Sequence, residues 1–128
     1  MSKHSARPTD ITLHQQSHVL EVTFDDGARF RLPCEYLRVY SPSAEVRGHG
    51  PGQEQLPLGK EGVNITRIEP VGHYAVRLCF DDGHDTGLYS WEWLYHLGCE
   101  QQRLWNEYLA KLKQAGHPRR APDTQDAQ

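Results

Sequence analysis

The sequence predicts an α+β fold: a small, mainly antiparallel sheet built from two hairpin-plus-short-helix units, with a C-terminal helix. Three observations predict it. The tetrapeptide Phe24-Asp25-Asp26-Gly27 recurs as Phe80-Asp81-Asp82-Gly83. Apolar residues alternate before each copy, at Leu20, Val22 and Phe24 and again at Tyr74, Val76, Leu78 and Phe80, which is the period of a half-buried strand. After each copy comes a return strand and then a short helical stretch, Leu32-Pro33-Cys34-Glu35-Tyr36-Leu37 and Tyr89-Ser90-Trp91-Glu92-Trp93-Leu94. Hairpins followed by helices pack as an antiparallel sheet with helices on one side or end.

The elements follow in order. Residues 1–8 read as a flexible terminus, 9–116 as a single domain and 117–128 as a disordered tail. Asp10 to Gln15 alternates weakly and predicts an edge strand, followed by a strand from His18 to Phe24. Asp-Asp-Gly is a hairpin turn signal, because glycine accepts the left-handed backbone that tight turns need. Ala28 to Leu32 returns, and Pro33 takes the first helical position of a short helix to Tyr40. Residues 41–62 hold five glycines and three prolines and predict a long loop of the kind that usually carries function. A strand is predicted from Val63 to Glu69, a turn at Pro70-Val71-Gly72, and a strand from His73 to Phe80 with Tyr74 on its inner face. His84 to Leu88 returns, Ser90 caps a helix starting at Trp91, and Gly98 ends that helix. The last helix runs from about Cys99 to Gln114, with Leu104, Tyr108 and Leu112 on one face, and stops at Gly116-His117-Pro118.

Composition narrows the function. Apolar residues make up 37% of the chain and charged residues 24%, which describes a globular domain rather than a disordered one. No apolar run is long enough to span a bilayer, so no membrane partner is expected. Met1 to Asp10 lacks the apolar core of an export signal, and a cytoplasmic location is expected. The net charge of −3 argues against a nucleic-acid partner. Lys111, Lys113, Arg119 and Arg120 form the one basic cluster, at a helix end where cations favour the dipole. Cys34, Cys79 and Cys99 are odd in number and form no CxxC pair, so neither a disulfide framework nor a thiolate zinc site is signalled.

Several stretches resemble the gamma-butyrobetaine hydroxylase-like N-terminal domain family. They are Ser41-Pro42-Ser43-Ala44-Glu45-Val46-Arg47-Gly48-His49-Gly50-Pro51-Gly52, then Glu69 to Val76, then Phe80-Asp81-Asp82-Gly83-His84-Asp85-Thr86-Gly87-Leu88-Tyr89-Ser90-Trp91. The D-G-H-x-x-G-x-Y-S-W stretch is the most specific part. The resemblance implies a domain that stands alone in bacteria, precedes 2-oxoglutarate oxygenase domains, or is fused to P-loop ATPases that carry iron–sulfur clusters. It also implies a zinc site in the fused form, made by C-x-C-x-x-C and a histidine of the second hairpin. The aligned positions here are Ser41, Ser43 and Val46, so the three thiolates are missing and His84 alone remains. One imidazole does not make a four-ligand zinc site. An oxygenase facial triad needs a large β scaffold that this chain is too short to add.

The candidate chemistry is therefore sparse. His84 is either a remnant metal ligand or a ring that fixes its turn through hydrogen bonds. His49, among glycines, is either a ligand-contacting residue or a loop tip. His73 lies roughly 23 Å from His84 at strand rise, too far to share a metal. Asp25-Asp26 and Asp81-Asp82 are better explained as turn chemistry than as catalytic pairs. Trp91 and Trp93 are two residues apart on a helix, so one of them is expected to face outward in an interaction patch. Cys99, at a predicted helix start, would have a lowered thiol pKa, yet it has no catalytic companions. The leading expectation is a non-catalytic binding or accessory module for an unknown protein partner, with Glu45, Arg47, His49, Trp91 and Trp93 as its contact residues. The competing one is a small metal-binding protein or metal-dependent enzyme that holds zinc or iron through His84 and His49.

Overall fold

The computed structural model describes residues 6–42 and 59–116. Its elements run β1 (Pro8–His14), β2 (Val19–Phe24), β3 (Arg29–Pro33), α1 (Cys34–Val39), β4 (Ile65–Val71), β5 (Ala75–Phe80), β6 (Leu88–Ser90), α2 (Trp91–Cys99) and α3 (Gln101–Gln114). The strands divide into two antiparallel meanders of three, β1-β2-β3 and β4-β5-β6. The alternation seen in the sequence sets which face is buried. Leu20, Val22, Phe24, Leu32, Ile65, Val76, Leu78 and Phe80 join Leu37, Leu94, Leu97 and Leu104 in one shared core.

The two hairpin turns are built alike in their backbone. Phe24 N–H donates to Ala28 O at 2.8 Å, and Phe80 N–H to His84 O at 2.9 Å. Gly27 and Gly83 both sit at φ 91°, the left-handed region that the Asp-Asp-Gly turn requires. A bulge displaces the register at Pro8/Asp10 in β1 and at Ile65/Arg67 in β4. Thr9 and Thr66, at those bulges, both turn their hydroxyls to a carbonyl of the neighbouring strand, Thr23 O and Cys79 O.

The halves also satisfy each other's helix ends. The last carbonyls of a helix have no partner within it. The Tyr36 hydroxyl, on α1, donates to Leu97 O of α2 at 2.6 Å. The Tyr89 hydroxyl, just before α2, donates to Leu37 O of α1 at 2.6 Å. The Trp93 indole donates to Tyr40 O at 3.0 Å. Helix α3 has no counterpart. It lays Tyr108 and Leu112 against Val39, with Tyr40 and Trp105 alongside, and Tyr40 donates its hydroxyl to Leu104 O at 2.7 Å. Gly116, at φ 76°, ends α3 as expected. Among the described residues no helix is long and apolar enough to cross a membrane.

Five local expectations are corrected. Pro33 is the N-cap of α1, in extended conformation, rather than its first helical residue. Strand β4 continues through Pro70 to Val71, and the turn starts at Gly72. Proline is tolerated there because β4 is an edge strand whose outward N–H needs no ladder partner. Strand β5 starts only at Ala75, which leaves Tyr74 in the turn and 59% exposed. Strand β6 is delayed to Leu88. Gly98 does not end α2, which continues to Cys99. A Cβ at Gly98 would lie 2.3 Å from the Phe30 ring, so this glycine is a notch for an aromatic side chain.

Candidate functional site

The duplication supplies an internal control, because each feature at one turn can be read against its counterpart at the other. At the first turn, Asp25 Oδ1 accepts Arg7 N–H at 3.2 Å and Asp26 Oδ1 accepts Ala28 N–H at 2.9 Å. At the second, Asp81 Oδ1 accepts Asn64 N–H at 3.1 Å and Asp82 Oδ1 accepts His84 N–H at 3.2 Å. Both carboxylate pairs thus serve the turns, as the sequence suggests.

The surroundings then diverge. Around the first turn, Tyr95 of α2 donates its hydroxyl to Asp26 Oδ2 at 2.6 Å. Phe24, Phe30 and Tyr95 meet edge to face, with centroids 4.9 to 5.9 Å apart. Phe30 fills the Gly98 notch, and this end is sealed by aromatic packing. Around the second turn, Arg38 of α1 takes the place of Tyr95, and its Nε donates to Asp82 Oδ2 at 2.9 Å. Gly87 replaces Phe30, and the residue facing it is Ser41, whose hydroxyl would lie 2.5 Å from a Cβ at Gly87. His84 replaces Ala28 and is only 6% exposed. Its Nε2 lies 2.9 Å from Ser41 Oγ, within hydrogen-bond distance, and its ring leans on Phe80 with centroids 6.1 Å apart. Lys60 adds a second cation, its Nζ 2.7 Å from Asp82 Oδ2. The second end is therefore a polar cluster of Arg38, Ser41, Lys60, Asp82 and His84.

Electrostatics mark the same place. Burial works to raise the Asp82 carboxyl, but hydrogen bonds from Lys60, the His84 N–H and Arg38 outweigh it and bring the pKa down to about 2. Arg38 is not fully satisfied in return. Its side chain is 12% exposed, and its Nη1 is buried with no hydrogen-bond partner among the described residues.

Of the residues singled out from sequence, the structure brings Ser41 and His84 together. Ser43, Glu45, Val46, Arg47 and His49 lie outside the described residues. Both tryptophans are half-buried and latched to backbone. Trp91 Nε1 donates to His73 O at 2.8 Å, and Trp93 also stacks on His96 with centroids 5.3 Å apart. Cys99 ends α2 instead of starting a helix, and its thiol is pushed above the ordinary value, first by partial burial and then by Glu100 and Asp26. The buried Cys34 thiol is raised to about 11, chiefly by burial. Among the described residues no three His, Cys, Asp or Glu side chains gather closely enough to hold a metal. The imidazole and hydroxyl of His84 and Ser41 do not fit a closed zinc site. Arg38 and Lys60 were missed from sequence. A signal for Arg38 existed, since aligning the two repeats sets it against Tyr95.

The sequence profile of the family described as "Gamma-butyrobetaine hydroxylase-like, N-terminal" matches residues 11–95. No curated protein matches the chain. Among solved structures, one determined in solution by NMR is 51% identical, with a TM-score of 0.79 over 94% of this chain and 92% of that one. A second NMR structure is 44% identical, with a TM-score of 0.79 over 93% of this chain and 94% of that one. A crystal structure of a DUF971-family protein of unknown function from Acidithiobacillus ferrooxidans is 42% identical. Its TM-score is 0.61 over 72% of this chain and 92% of that one. With its repeated hairpin-and-helix architecture and a profile match across most of the described residues, the chain belongs to the gamma-butyrobetaine hydroxylase-like N-terminal family.

Proposed function

We propose that the chain is a non-catalytic binding or accessory module whose contact surface is the second hairpin turn and the loop 41–55 beside it. One observation carries this reading. The two flanks of residues 43–58 are fixed to the same turn, Ser41 through His84 and Lys60 through Asp82. A long segment tied at both flanks to a rigid hairpin is the usual place for binding groups. Among the described residues, the counterpart end, where Phe30 fills the Gly98 notch, has no such segment tied at both flanks. Metal-cofactor handling, iron–sulfur in particular, or oxygenase-linked metabolism is the setting that the family context suggests for the partner. The test is capture of a partner from the source cell by the native chain and by Arg47→Ala/His49→Ala. Loss of capture with an unchanged melting temperature supports the reading. Undiminished capture by the variant refutes it.

A second reading has one observation in its favour. Ser41 and His84, two of the positions aligned with the zinc ligands of fused relatives, are neighbours. In that reading His84 and His49 hold zinc or iron. Metal analysis of protein purified without a histidine tag decides it: a stoichiometric metal, lost on His84→Ala, supports it, and its absence refutes it.

A further inference from the structure

We infer that the chain's own N-terminal segment, Met1 to Ser5, docks against the first turn and the groove of α2 beside it, with the Lys3 ammonium on Asp26 Oδ2. The first end of the molecule, distinct from the proposed contact surface, is then closed by the chain itself. The internal repeat reaches further upstream than the strands. Thr9 and Thr66 hold the same bulge. Two residues earlier, Arg7 and Asn64 hold the same place. Each donates its N–H to the first aspartate of its turn, at 3.2 Å to Asp25 Oδ1 and 3.1 Å to Asp81 Oδ1. Each carbonyl accepts that aspartate's N–H, at 2.8 and 2.9 Å. One residue earlier still, Ala6 and Val63 belong to the same core. The same count sets Lys3 against Lys60, for each stands six residues before its threonine. Lys60 Nζ lies 2.7 Å from Asp82 Oδ2, which Arg38 also meets. At the first turn Tyr95 takes the place of Arg38 on Asp26 Oδ2.

Backbone, reach and charge all suit this segment. Lys60 to Val63 is a turn closed by Val63 N–H on Lys60 O at 3.1 Å, and Lys3-His4-Ser5-Ala6 has the same length. Ser5 stands where that turn has Gly62. Gly62 is not at positive φ, and no atom lies within 4 Å of its Cβ position, so a serine fits there. Arg7 already lies against Asp25, and the three residues back from Ala6 to Lys3 span at most about 10 Å before the lysine stem is added. Ala6 also lines a groove of about 280 Å³ with Trp91, Glu92, Tyr95, His96 and Cys99. The groove thus starts where the segment ends, and Tyr95 links it to Asp26. The segment carries Lys3 and His4 and no acidic residue, and the surface it meets carries the carboxylates of Asp26 and Glu92. A lysine can lay its stem on apolar rings while its head reaches a carboxylate.

The experiment follows the side-chain carboxyl carbons of Asp26 and Asp82 by NMR through an acid titration of the untagged full chain, of Lys3→Gln and of Lys60→Gln. A cation in contact with a carboxylate holds its titration midpoint down. Lys3→Gln should therefore raise the Asp26 midpoint by about half a pH unit or more and leave that of Asp82 in place, and Lys60→Gln should do the reverse. The second lysine is the positive control, because its contact with Asp82 is seen directly. A second measurement needs no variant: nuclear Overhauser contacts should join the side chains of residues 3–5 to the Tyr95 and Trp91 rings in the native chain. An Asp26 midpoint that is the same with and without Lys3, or residues 3–5 that show no contact with either ring, would overturn the inference.

Discussion

Replacing Gly98 by alanine sets two effects of known size against each other. Gly98 lies within α2, and alanine in a helix interior is favoured over glycine by about 1 kcal/mol. Against this, the new Cβ would lie 2.3 Å from Phe30 Cγ and 2.5 Å from both Cδ atoms, closer than carbon atoms can sit. The ring cannot simply swing away, because Phe24 and Tyr95 hold its edges. Overpacking of a fixed core side chain costs up to about 3 kcal/mol. The clash wins, and Gly98→Ala should destabilise by about 2 kcal/mol once the propensity gain is set against it. Urea unfolding followed by circular dichroism measures this. The same substitution in a Phe30→Ala background should lose its penalty and stabilise that variant by about 1 kcal/mol, because only the propensity remains. A stabilising Gly98→Ala in the native background, or an equal loss in both backgrounds, would refute the notch.

Further predictions follow from the same structure. Gly83→Val should cost about 1–2 kcal/mol from backbone strain alone, since φ is 91° and no atom lies within 4 Å of its Cβ position; a neutral result in urea unfolding would contradict the left-handed turn. Tyr36→Phe should cost about 1–2 kcal/mol by leaving Leu97 O without its partner, and no change in the unfolding midpoint would show that bond to be dispensable. The Asp82 carboxyl is held at about 2, below its ordinary 3.8. Its contribution to stability is therefore complete above the ordinary value and is lost as pH falls through about 2. Acid unfolding of the native chain should be steeper in that window than that of Asp82→Asn, and parallel curves would contradict the pairing.

Much of the fold is legible because it is local. Leu20, Val22 and Phe24 declare their strand by alternation, the two Asp-Asp-Gly turns by composition, and Leu104, Tyr108 and Leu112 their helix by spacing. The misread positions are those where distant packing overrides a local rule. Gly98 looks like a helix end until Phe30, from another strand, is seen to occupy its notch. Residues 84–87 look like strand until His84 turns inward to Ser41 and Gly87 makes room for that hydroxyl. The site was half legible for the same reason. His84 stands out by its motif, but Arg38 and Lys60 reach Asp82 from elements far apart in sequence, and the turn by itself already accounts for Asp82. The two tryptophans, two residues apart on α2, are both half-buried, and two backbone carbonyls hold their indoles.

The central claim is that of two turns alike in backbone, the second meets a partner and the first is structural. Site-specific photo-crosslinking in the source cell tests it most directly. A photoreactive residue is placed at Asp85, exposed beside the second turn, or at Arg29, exposed beside the first. The account predicts a discrete adduct from position 85 that excess unlabelled chain suppresses, and none from position 29. An adduct confined to position 29 would contradict it.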